Sequence, residues 1–411
     1  MIDCAPATAI VIGDGVVGLN VALALQRRGT AVTIVAPDAP WRGASWGNAG
    51  HIAVEQVEPL ASLATIRSVP GRLFSSGGAL ALPVRAIGTW LPFSLRMLLA
   101  ARPARFRRGK AALSALLATA IPAWRQVLAD ADAADLLRVD GHFVVWETPD
   151  SAARGRRGWM AADTGTTTVR DASPEELARL RALTDVPIAG AIRFVGSGQI
   201  VDTTALGEAL ATRFAAQGGT FVRGRVRAVG DDGRVTLDAG TTHAADVAVV
   251  AAGAASAALV APAGLSAPLI AERGYHIEGN PGDWPADMPP VVFEDRSMIV
   301  TRFATRLRAA SIVEFARIDM APDPRKWARL RGHVASLGLS IGAPVEPWMG
   351  ARPTLPDYLP AIGRRGAIAY AFGHQHLGLT LSATTGEALA ALLHGETPAV
   401  DLTPFDLGRF G

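Results

Sequence analysis

The feature that most constrains the fold is a glycine-rich turn close to the start of the chain. Gly13, Gly15 and Gly18 directly follow an apolar, β-branched run at residues 10–12. Gly13 permits a tight turn, Gly15 lets the backbone approach a pyrophosphate, and Gly18 lets the next helix pack closely on the sheet. That helix directs unpaired N–H groups and a positive dipole end towards phosphates. The segment predicts a dinucleotide-binding βαβ unit, and the alternative is a glycine-rich strand–helix turn without a ligand.

The second strand of this unit lacks an expected residue at its end. Such units place an acid there to bind the ribose hydroxyls. The aligned position is Ala36, followed by Pro37 and Asp38. Asp38 lies two residues too far along the chain and beyond a proline, so its geometry differs from the usual one. We therefore leave open which group replaces the acid, and we expect modest cofactor affinity.

Composition limits the class of protein. With 411 residues, of which 49% are hydrophobic, the chain is long enough for two domains with substantial cores. The formal net charge is only +3, without an RNA-binding motif or sustained basic block, which argues against nucleic acid as a partner. Cys4 is the single cysteine, which excludes an internal disulfide and a cysteine-based zinc site. These features, and the lack of a signal-peptide pattern, predict a cytoplasmic protein.

Residues 79–110 have two interpretations. The stretch 79–101 is apolar but contains two prolines and two arginines, so we do not expect it to span a membrane. A basic run without an acid follows, with Arg102, Arg105, Arg107, Arg108 and Lys110. The segment therefore predicts either peripheral contact with an anionic surface, such as the inner membrane face, or a buried helix pair with a solvated basic end.

Periodicity along the chain predicts an α/β fold with two domains. Helical patterns occupy 85–135, 174–183 and 202–217, and a buried strand occupies 246–253. Alternating strands at 273–278, 291–302 and 308–316 favour a mostly antiparallel sheet, distinct from the parallel sheet of the nucleotide domain. We predict a Rossmann-like domain from residues 1–84, 198–265 and 345–411, and a substrate domain from residues 85–197 and 266–344.

Two blocks near the C-terminus are more specific than the first turn. Residues 350–363 contain a Gly-x-Arg-Pro…Pro-Asp…Pro…Gly pattern, and residues 373–380 contain Gly-His…Leu-Gly-x-Thr. Together with the small-residue loop 45–50 and the Ala-Ala-Gly strand end at 251–253, they resemble the D-amino acid oxidase superfamily. The resemblance spans nearly the whole chain and is closest to bacterial D-amino acid dehydrogenases. Residues 46–52 and 273–276 resemble the D-hydroxyproline dehydrogenase branch.

This resemblance implies a cofactor and a reaction. The cofactor is FAD, and the reaction is oxidation of a D-amino or D-imino acid by hydride transfer from its α carbon to flavin N5, with electrons passed to a quinone or another acceptor. Some relatives hold flavin covalently through a C-terminal cysteine, which is lacking here, so we predict noncovalent FAD. The positions that match the family's flavin contacts are Gly13, Gly15, Val16, Val17, Gly18, Ser45, Gly47, Asn48, Ala49, Gly50, Ala252, Gly253, Gly373, Leu377, Gly378, Leu379 and Thr380.

Five residues are candidates for contact with the substrate. Arg352 matches the family's carboxylate-binding arginine, and its planar fork suits bidentate binding; a structural salt bridge is the alternative. Tyr275 either contributes a hydroxyl to the carboxylate or packs within the sheet. His374 is a base, an orienting donor or a structural hydrogen-bonding group. His51 and His276 are further substrate-binding candidates.

We predict no metal and leave two other functions open. His51, His276 and His376 are spread among different motifs without cysteine or a closely spaced acid, which makes a poor metal set. An NAD(P)-linked Rossmann dehydrogenase would explain the first turn but not the C-terminal blocks. A noncatalytic flavin-binding electron-transfer subunit is favoured only by Ala36 and the segment 79–110.

Overall fold

The computed structural model describes residues 5–37, residue 41 and residues 43–411, so Cys4 and Asp38 lie outside the described residues. The strands are β1 Thr8–Ile12, β2 Ala31–Ala36, β3 His51–Ile52, β4 Leu80–Ala81, β5 Leu137–Arg138, β6 His142–Trp146, β7 Thr168–Asp171, β8 Gly190–Val195, β9 Gly198–Ile200, β10 Thr220–Arg223, β11 Val226–Val229, β12 Val235–Leu237, β13 Thr242–His243, β14 Val247–Val250, β15 Ile270–Asn280, β16 Val291–Phe293, β17 Met298–Arg302, β18 Leu307–Ala316, β19 Gly342–Thr354, β20 Ala361–Arg365 and β21 Ile368–Phe372. The helices are α1 Val16–Gln26, α2 Leu63–Arg72, α3 Ile87–Ala100, α4 Pro103–Ala118, α5 Ala120–Asp130, α6 Pro149–Ala161, α7 Pro174–Arg181, α8 Thr203–Ala216, α9 Ser256–Val260, α10 Pro324–Ser336 and α11 Gly378–Leu393.

The nucleotide domain is built on a six-stranded sheet. Its order is β10-β2-β1-β14-β21-β20, and each neighbouring pair is parallel except β20 and β21. β1 and β14 are apolar and almost wholly buried because the sheet is covered on both faces. The predicted parallel sheet is confirmed.

Helices α4 and α5 belong to the core of this domain. Leu113, Leu116 and Trp124 are buried in one apolar cluster with α1 and α11, and the Trp124 indole Nε1 donates to the carbonyl oxygen of Leu379 at 2.9 Å. The stretch Pro103–Asp130 is long and apolar enough to cross a membrane, but it packs here as a core helix pair. Assigning all of 85–197 to the substrate domain was therefore wrong, because α4 and α5 bury their apolar faces against α11.

The second large sheet has nine strands and is mostly antiparallel, as predicted. Its order is β19-β15-β18-β17-β16-β6-β8-β7, and β4 pairs with β18. Only the pairs β16–β6 and β18–β4 are parallel within the described residues. β19 lies beside β15 with Arg352 opposite Glu272, so the predicted boundary at 345 was wrong. The Gly-x-Arg-Pro motif forms a strand of the substrate sheet because its backbone pairs with β15.

A small sheet has the order β3-β9-β5, and its strand β3 directly follows the loop 45–50. The predicted helix at 174–183 is observed as α7, which begins with a capping box between Ser173 and Glu176. Residues 220–229 are divided between two strands, β10 and β11. β10 joins the parallel sheet, whereas β11 pairs with β12 in a separate antiparallel sheet.

Candidate functional site

The first turn has the geometry that its glycines predict. Gly13 has φ +113°, and a Cβ there would lie 2.5 Å from the carbonyl oxygen of Ala251 at the end of β14. A Cβ at Gly18 would overlap the Gly13 carbonyl. The turn therefore requires glycine, and it lies against the segment that leads to the predicted Ala252 and Gly253.

The start of α1 keeps donor groups for a ligand. Val16 N–H donates to Ser45 Oγ at 3.0 Å, and Gly15, which precedes it, provides no side-chain cap. Val17 and Gly18 continue this first turn. An uncapped helix N-terminus after such a turn suits a pyrophosphate, which supplies acceptors for the free N–H groups.

An ion pair stands where the ribose acid was expected. Arg223, at the end of β10, lies opposite Ala36 in the sheet register. Its Nη1 is 3.7 Å from Oδ2 of Asp14, which lies within the glycine-rich turn. Among the described residues, Asp14 is therefore an acid whose ion pair reaches the residue opposite Ala36.

Loop 45–50, here called the flavin loop because the family resemblance predicts flavin contacts there, is held by a buried arginine that no sequence motif marks. Arg308 Nη1 donates to the carbonyl oxygens of Trp46, at 3.0 Å, and Asn48. Its Nε and Nη2 donate to Glu278 Oε2 at 2.9 and 2.6 Å. Burial lowers the pKa of Arg308 to about 10, so it stays charged at neutral pH. The one sequence signal for this ion pair was that Arg308 and Glu278 each lie on a predicted strand.

Short-range contacts fix the conformation of the flavin loop at Gly47, Asn48 and Gly50, which the sequence predicts as flavin contacts. Asn48 Oδ1 accepts from the N–H of Gly50 at 2.8 Å, across Ala49. Gly47 lies against the indole of Trp348, another residue to which the sequence analysis gave no role. The loop therefore has little room for larger side chains.

Loop residues also reach the start of α11. Thr380 Oγ1 accepts from the N–H of Ala53 at 2.9 Å, just beyond β3. α11 begins at Gly378 after Leu377 and, like α1, has no side-chain cap among the described residues. Leu379, the second residue of α11, is buried. The segment 45–53 thus bridges two uncapped helix N-termini, one suited to a pyrophosphate and one to the electron-rich edge of a flavin.

Arg352 lies on β19 of the substrate sheet, where it is paired with Glu272. Its Nη1 donates to Glu272 Oε1 at 3.3 Å, and a Cβ at Gly274 would overlap its guanidinium. Glu272 Oε2 accepts from Thr354 Oγ1 at 3.1 Å and from the Tyr358 hydroxyl at 3.3 Å. The Arg352 side chain is 29% exposed, whereas that of Glu272 is 2% exposed. Glu272 therefore positions the arginine and leaves part of its fork free for a carboxylate.

Tyr275 does not lie on this face. Its hydroxyl donates to Glu314 Oε2 at 2.6 Å and its ring packs edge-on against Trp327 of α10. Side chains alternate along a strand, so Tyr275 points away from Gly274 and Arg352. Predicting it as a substrate-binding residue was wrong, and the alternative of a packed strand tyrosine is observed.

His276 faces the flavin loop and not an open cavity. Nδ1 lies 3.2 Å from the carbonyl oxygen of Gly47, and the ring stacks on Trp348 with centroids 4.8 Å apart. Burial, and then the charge of Arg308, hold the pKa of His276 well below its ordinary value. The ring is therefore neutral and its visible contact is with the loop.

His374 is buried beside the start of α11. Its Nε2 lies 2.9 Å from Thr385 Oγ1, and Gly373 before it adopts φ +80°. Burial lowers the pKa of His374 to about 3, which makes it a weak base at neutral pH. Of the three roles left open, the structural hydrogen bond is the one with a visible partner.

His376 lies close to charged groups of the site. Its Nε2 contacts Gln56 Oε1, and burial lowers its pKa to about 4. The charges of Glu272, Arg352 and Glu55 also act on this ring. Because His376 and His374 are neutral at pH 7, Arg352 supplies the fixed positive charge there.

His51 contacts Glu55 and His142, and not the His276 and His376 with which the sequence analysis grouped it. Its Nε2 lies 2.9 Å from Glu55 Oε1, and its ring meets the His142 ring edge-on at 4.5 Å. Burial lowers the pKa of His142 to about 3. Neither Glu55 nor His142 was singled out from the sequence, because only the fold brings β6 beside β3.

Comparisons with known proteins identify the family of this chain. The family model described as FAD dependent oxidoreductase matches residues 8–392. The chain is 32% identical over 416 residues to "D-amino-acid oxidase" of Bradyrhizobium diazoefficiens, covering 97% of this chain and 98% of that protein. It is 29% identical over 425 residues to "D-amino acid dehydrogenase 2" of Ralstonia nicotianae, covering 97% and 99%.

Solved structures share the fold. Glycine oxidase from Geobacillus kaustophilus superposes with a TM-score of 0.71 at 20% identity, covering 99% of both chains. L-proline dehydrogenase from P. horikoshii superposes with a TM-score of 0.73 at 16% identity, covering 99% of this chain and 98% of that one. The predicted superfamily and fold class are confirmed, while the D-hydroxyproline branch stays a prediction. Since the family model covers nearly the whole length, the chain belongs to the family of FAD-dependent oxidoreductases.

Proposed function

We propose that this protein is a dehydrogenase that oxidises a D-amino or D-imino acid with noncovalent FAD. The observation that carries the proposal is Arg352, held by Glu272 on the sheet face that carries His276 towards the flavin loop. The names of the relatives from Bradyrhizobium and Ralstonia support a D-amino acid as substrate. Support for noncovalent attachment comes from the composition, since Cys4 is the sole cysteine. An NAD(P)-linked enzyme is not favoured, because the family match extends through both C-terminal blocks.

In this proposal Arg352 binds the substrate carboxylate through the part of its fork that Glu272 does not occupy. Glycine at 274 leaves room for the guanidinium, so the carboxylate is held close to the sheet. Two charge-assisted hydrogen bonds fix both distance and orientation, which directs the α carbon and nitrogen towards the flavin loop.

The chemistry that FAD supplies when bound is two-electron oxidation of the substrate Cα–N bond. The Cα–H hydrogen leaves with its electron pair, the nitrogen lone pair forms the C=N bond, and an amine proton passes to solvent. An acyclic imine then hydrolyses to a keto acid and ammonia, and a cyclic imine persists. The weakly basic His374 acts through its hydrogen bond to Thr385 and not as the proton acceptor.

The test is a visible spectrum followed by anaerobic addition of D-proline, cis-4-hydroxy-D-proline and D-alanine separately, with the L-enantiomers as controls. We expect a flavin band that one D-compound bleaches. Loss of the flavin on denaturation and filtration would support noncovalent binding. A flavin band that no amino acid bleaches would contradict the proposed reaction and favour a noncatalytic flavin subunit.

We also propose that residues 79–110 contact an anionic membrane surface, from which a quinone accepts the electrons. The segment has seven Arg or Lys residues and no Asp or Glu. The exposed apolar side chains on or beside α3 are Val84, Ile87, Leu91, Leu95, Leu98 and Leu99. Exposed apolar groups next to basic ones suit a bilayer surface with anionic headgroups.

Sedimentation with vesicles tests this surface. We expect binding to vesicles that contain phosphatidylglycerol, weaker binding to pure phosphatidylcholine, and loss of binding on Leu95→Ser with Leu98→Ser. Ile318→Ser is the matched control, since Ile318 is exposed but lies outside the segment. Equal binding by both variants would contradict a role for α3.

A further inference from the structure

Three metal-ligating side chains meet where β3 and β6 approach each other. His51 is on β3, Glu55 lies four residues later, and His142 is the first residue of β6. Their potential ligand atoms all lie within 4.8 Å of one another. We propose that His51, Glu55 and His142 bind one divalent transition-metal ion, for which Zn²⁺ is the best match. This inference does not depend on the proposed substrate.

The donor set fits such an ion. Two imidazoles and one carboxylate are common zinc ligands, with bonds of about 2.0–2.2 Å, which places donor atoms about 3.4 Å apart. His51 Nε2 and Glu55 Oε1, at 2.9 Å, are slightly closer than this spacing and would separate around a bound ion. Because all three ligand atoms lie within 4.8 Å of one another, side-chain adjustments would bring them to this spacing, and three ligands leave a fourth position for water.

Unpaired buried atoms provide an independent reason to expect a ligand. The side chains of His51 and Glu55 are 9% and 2% exposed. Within the described part of the chain, His51 Nδ1 and Glu55 Oε2 have no hydrogen-bond partner. Leaving polar atoms buried without a partner is costly, and a buried carboxylate is most costly when no cation accompanies it. A metal ion held by Glu55 would remove that cost.

His142 is oriented as metal-bound histidines usually are. Its Nδ1 lies 2.9 Å from the hydroxyl of Ser197, so Nε2 remains for the ion. Its ring stacks on Phe194 with centroids 4.4 Å apart and an interplanar angle of 10°. A hydrogen bond to the second ring nitrogen fixes the tautomer and typically changes metal affinity 10–100-fold.

The position of the cluster indicates what the ion would do. His51 directly follows the flavin loop, whereas His142 belongs to the nine-stranded sheet. An ion bound by both would fasten the end of the loop to the substrate domain. The competing explanation is an ion pair between protonated His51 and Glu55, without any metal.

The experiment measures metal binding by the flavin-containing enzyme after dialysis against a chelator. Zn²⁺ is titrated by calorimetry, Mg²⁺ serves as the comparison ion, and bound metal is counted after gel filtration. We expect one Zn²⁺ per chain, no Mg²⁺ uptake, and loss of the site in Glu55→Gln and His142→Gln. Ser197→Ala should weaken Zn²⁺ binding about 10–100-fold.

His333→Gln is the matched control, because His333 is a half-buried histidine on α10 that contacts Arg296 and not the cluster. It should bind Zn²⁺ like the natural protein. Lack of stoichiometric Zn²⁺ uptake by the natural protein would overturn the proposal and leave the ion pair. Unchanged uptake in folded Glu55→Gln and His142→Gln would also overturn it. If either variant fails to fold, the Zn²⁺ affinities of the natural protein and of Ser197→Ala decide whether the proposal stands.

Discussion

The two faces of β15 bury similar charges for different purposes. On one face, here called the loop face, Glu272 holds Arg352 and Glu278 holds Arg308. On the other, the helix face, Glu314 is paired with Arg273 and with Lys326 of α10. Successive residues of one strand therefore supply both faces.

The difference lies in what each arginine does beyond its ion pair. Arg308 reaches backbone carbonyls of the flavin loop, and Arg352 remains partly exposed. Arg273, Glu314 and Lys326 are at most 2% exposed. We therefore expect the loop face to bind ligands, whereas the ion pair of Glu314 with Lys326 fastens α10 to the helix face.

The largest effect is expected at Arg352. Arg352→Met should lower kcat/KM for the bleaching D-amino acid about 10²–10⁴-fold, because two charge-assisted hydrogen bonds of roughly 1.5–3 kcal/mol each are lost. Arg352→Lys should recover part of the loss, since it keeps the charge but not the fork. Steady-state kinetics measures both. Unchanged KM in Arg352→Met would show that the loop face does not bind the carboxylate.

Arg308→Met should destabilise the protein by about 3–5 kcal/mol, because Glu278 is left buried without its main cation. It should also weaken FAD binding, since the carbonyls of Trp46 and Asn48 lose their donor. Urea denaturation and a flavin fluorescence titration measure the two effects. Replacing Glu278 by Gln in the same chain should recover stability but not FAD affinity, and recovery of both would argue against a role at the flavin loop.

Tyr275→Phe tests the helix face with a smaller change. It removes one hydrogen bond to Glu314, which keeps Lys326 as a partner, so we expect a loss of about 1–2 kcal/mol in unfolding free energy. KM should stay within twofold of the natural value, because the hydroxyl lies away from Arg352. A large rise in KM without loss of stability would restore Tyr275 to the substrate site.

The effect that is smallest at neutral pH comes from the titration of His276. Burial keeps the folded pKa of His276 well below the ordinary 6.5, so the unfolded chain binds a proton that the folded chain does not. Its contribution to stability is therefore complete above pH 6.5 and is lost as pH falls below that value, by up to about 1.4 kcal/mol per pH unit. His276→Gln should flatten the stability curve below pH 6.5, measured by urea denaturation at several pH values. An unaltered slope would mean that His276 is protonated in the folded protein.

The helix face should lose a stabilising interaction at a lower pH than the loop face. Hydrogen bonds from Arg325 and Lys326 hold the pKa of Asp323, which caps α10, below its ordinary 3.8. Its stabilising contribution is present above pH 3.8 and is lost only as pH falls further. The loss that comes from Asp323 should therefore begin at a lower pH than the loss that comes from His276.

Local sequence was sufficient for the first βαβ unit and for the start of α7. The glycines of the first turn, the capping box of α7 and the apolar strands each fix a conformation through neighbours within a few residues. The residues around Arg352 and Thr380 were found through a family resemblance, because each block keeps its own spacing. These features needed no knowledge of distant contacts.

The sequence by itself thus determined the fold class, the family and the segments that form the site. The tertiary structure alone decided which face of β15 each residue occupies, since a one-residue shift of a strand reverses every side chain and no local signal fixes the partner sheet. It also placed α4 and α5 in the nucleotide domain and Arg308 at the flavin loop. His51 and His142 meet only because β3 and β6 approach each other, which local periodicity does not encode.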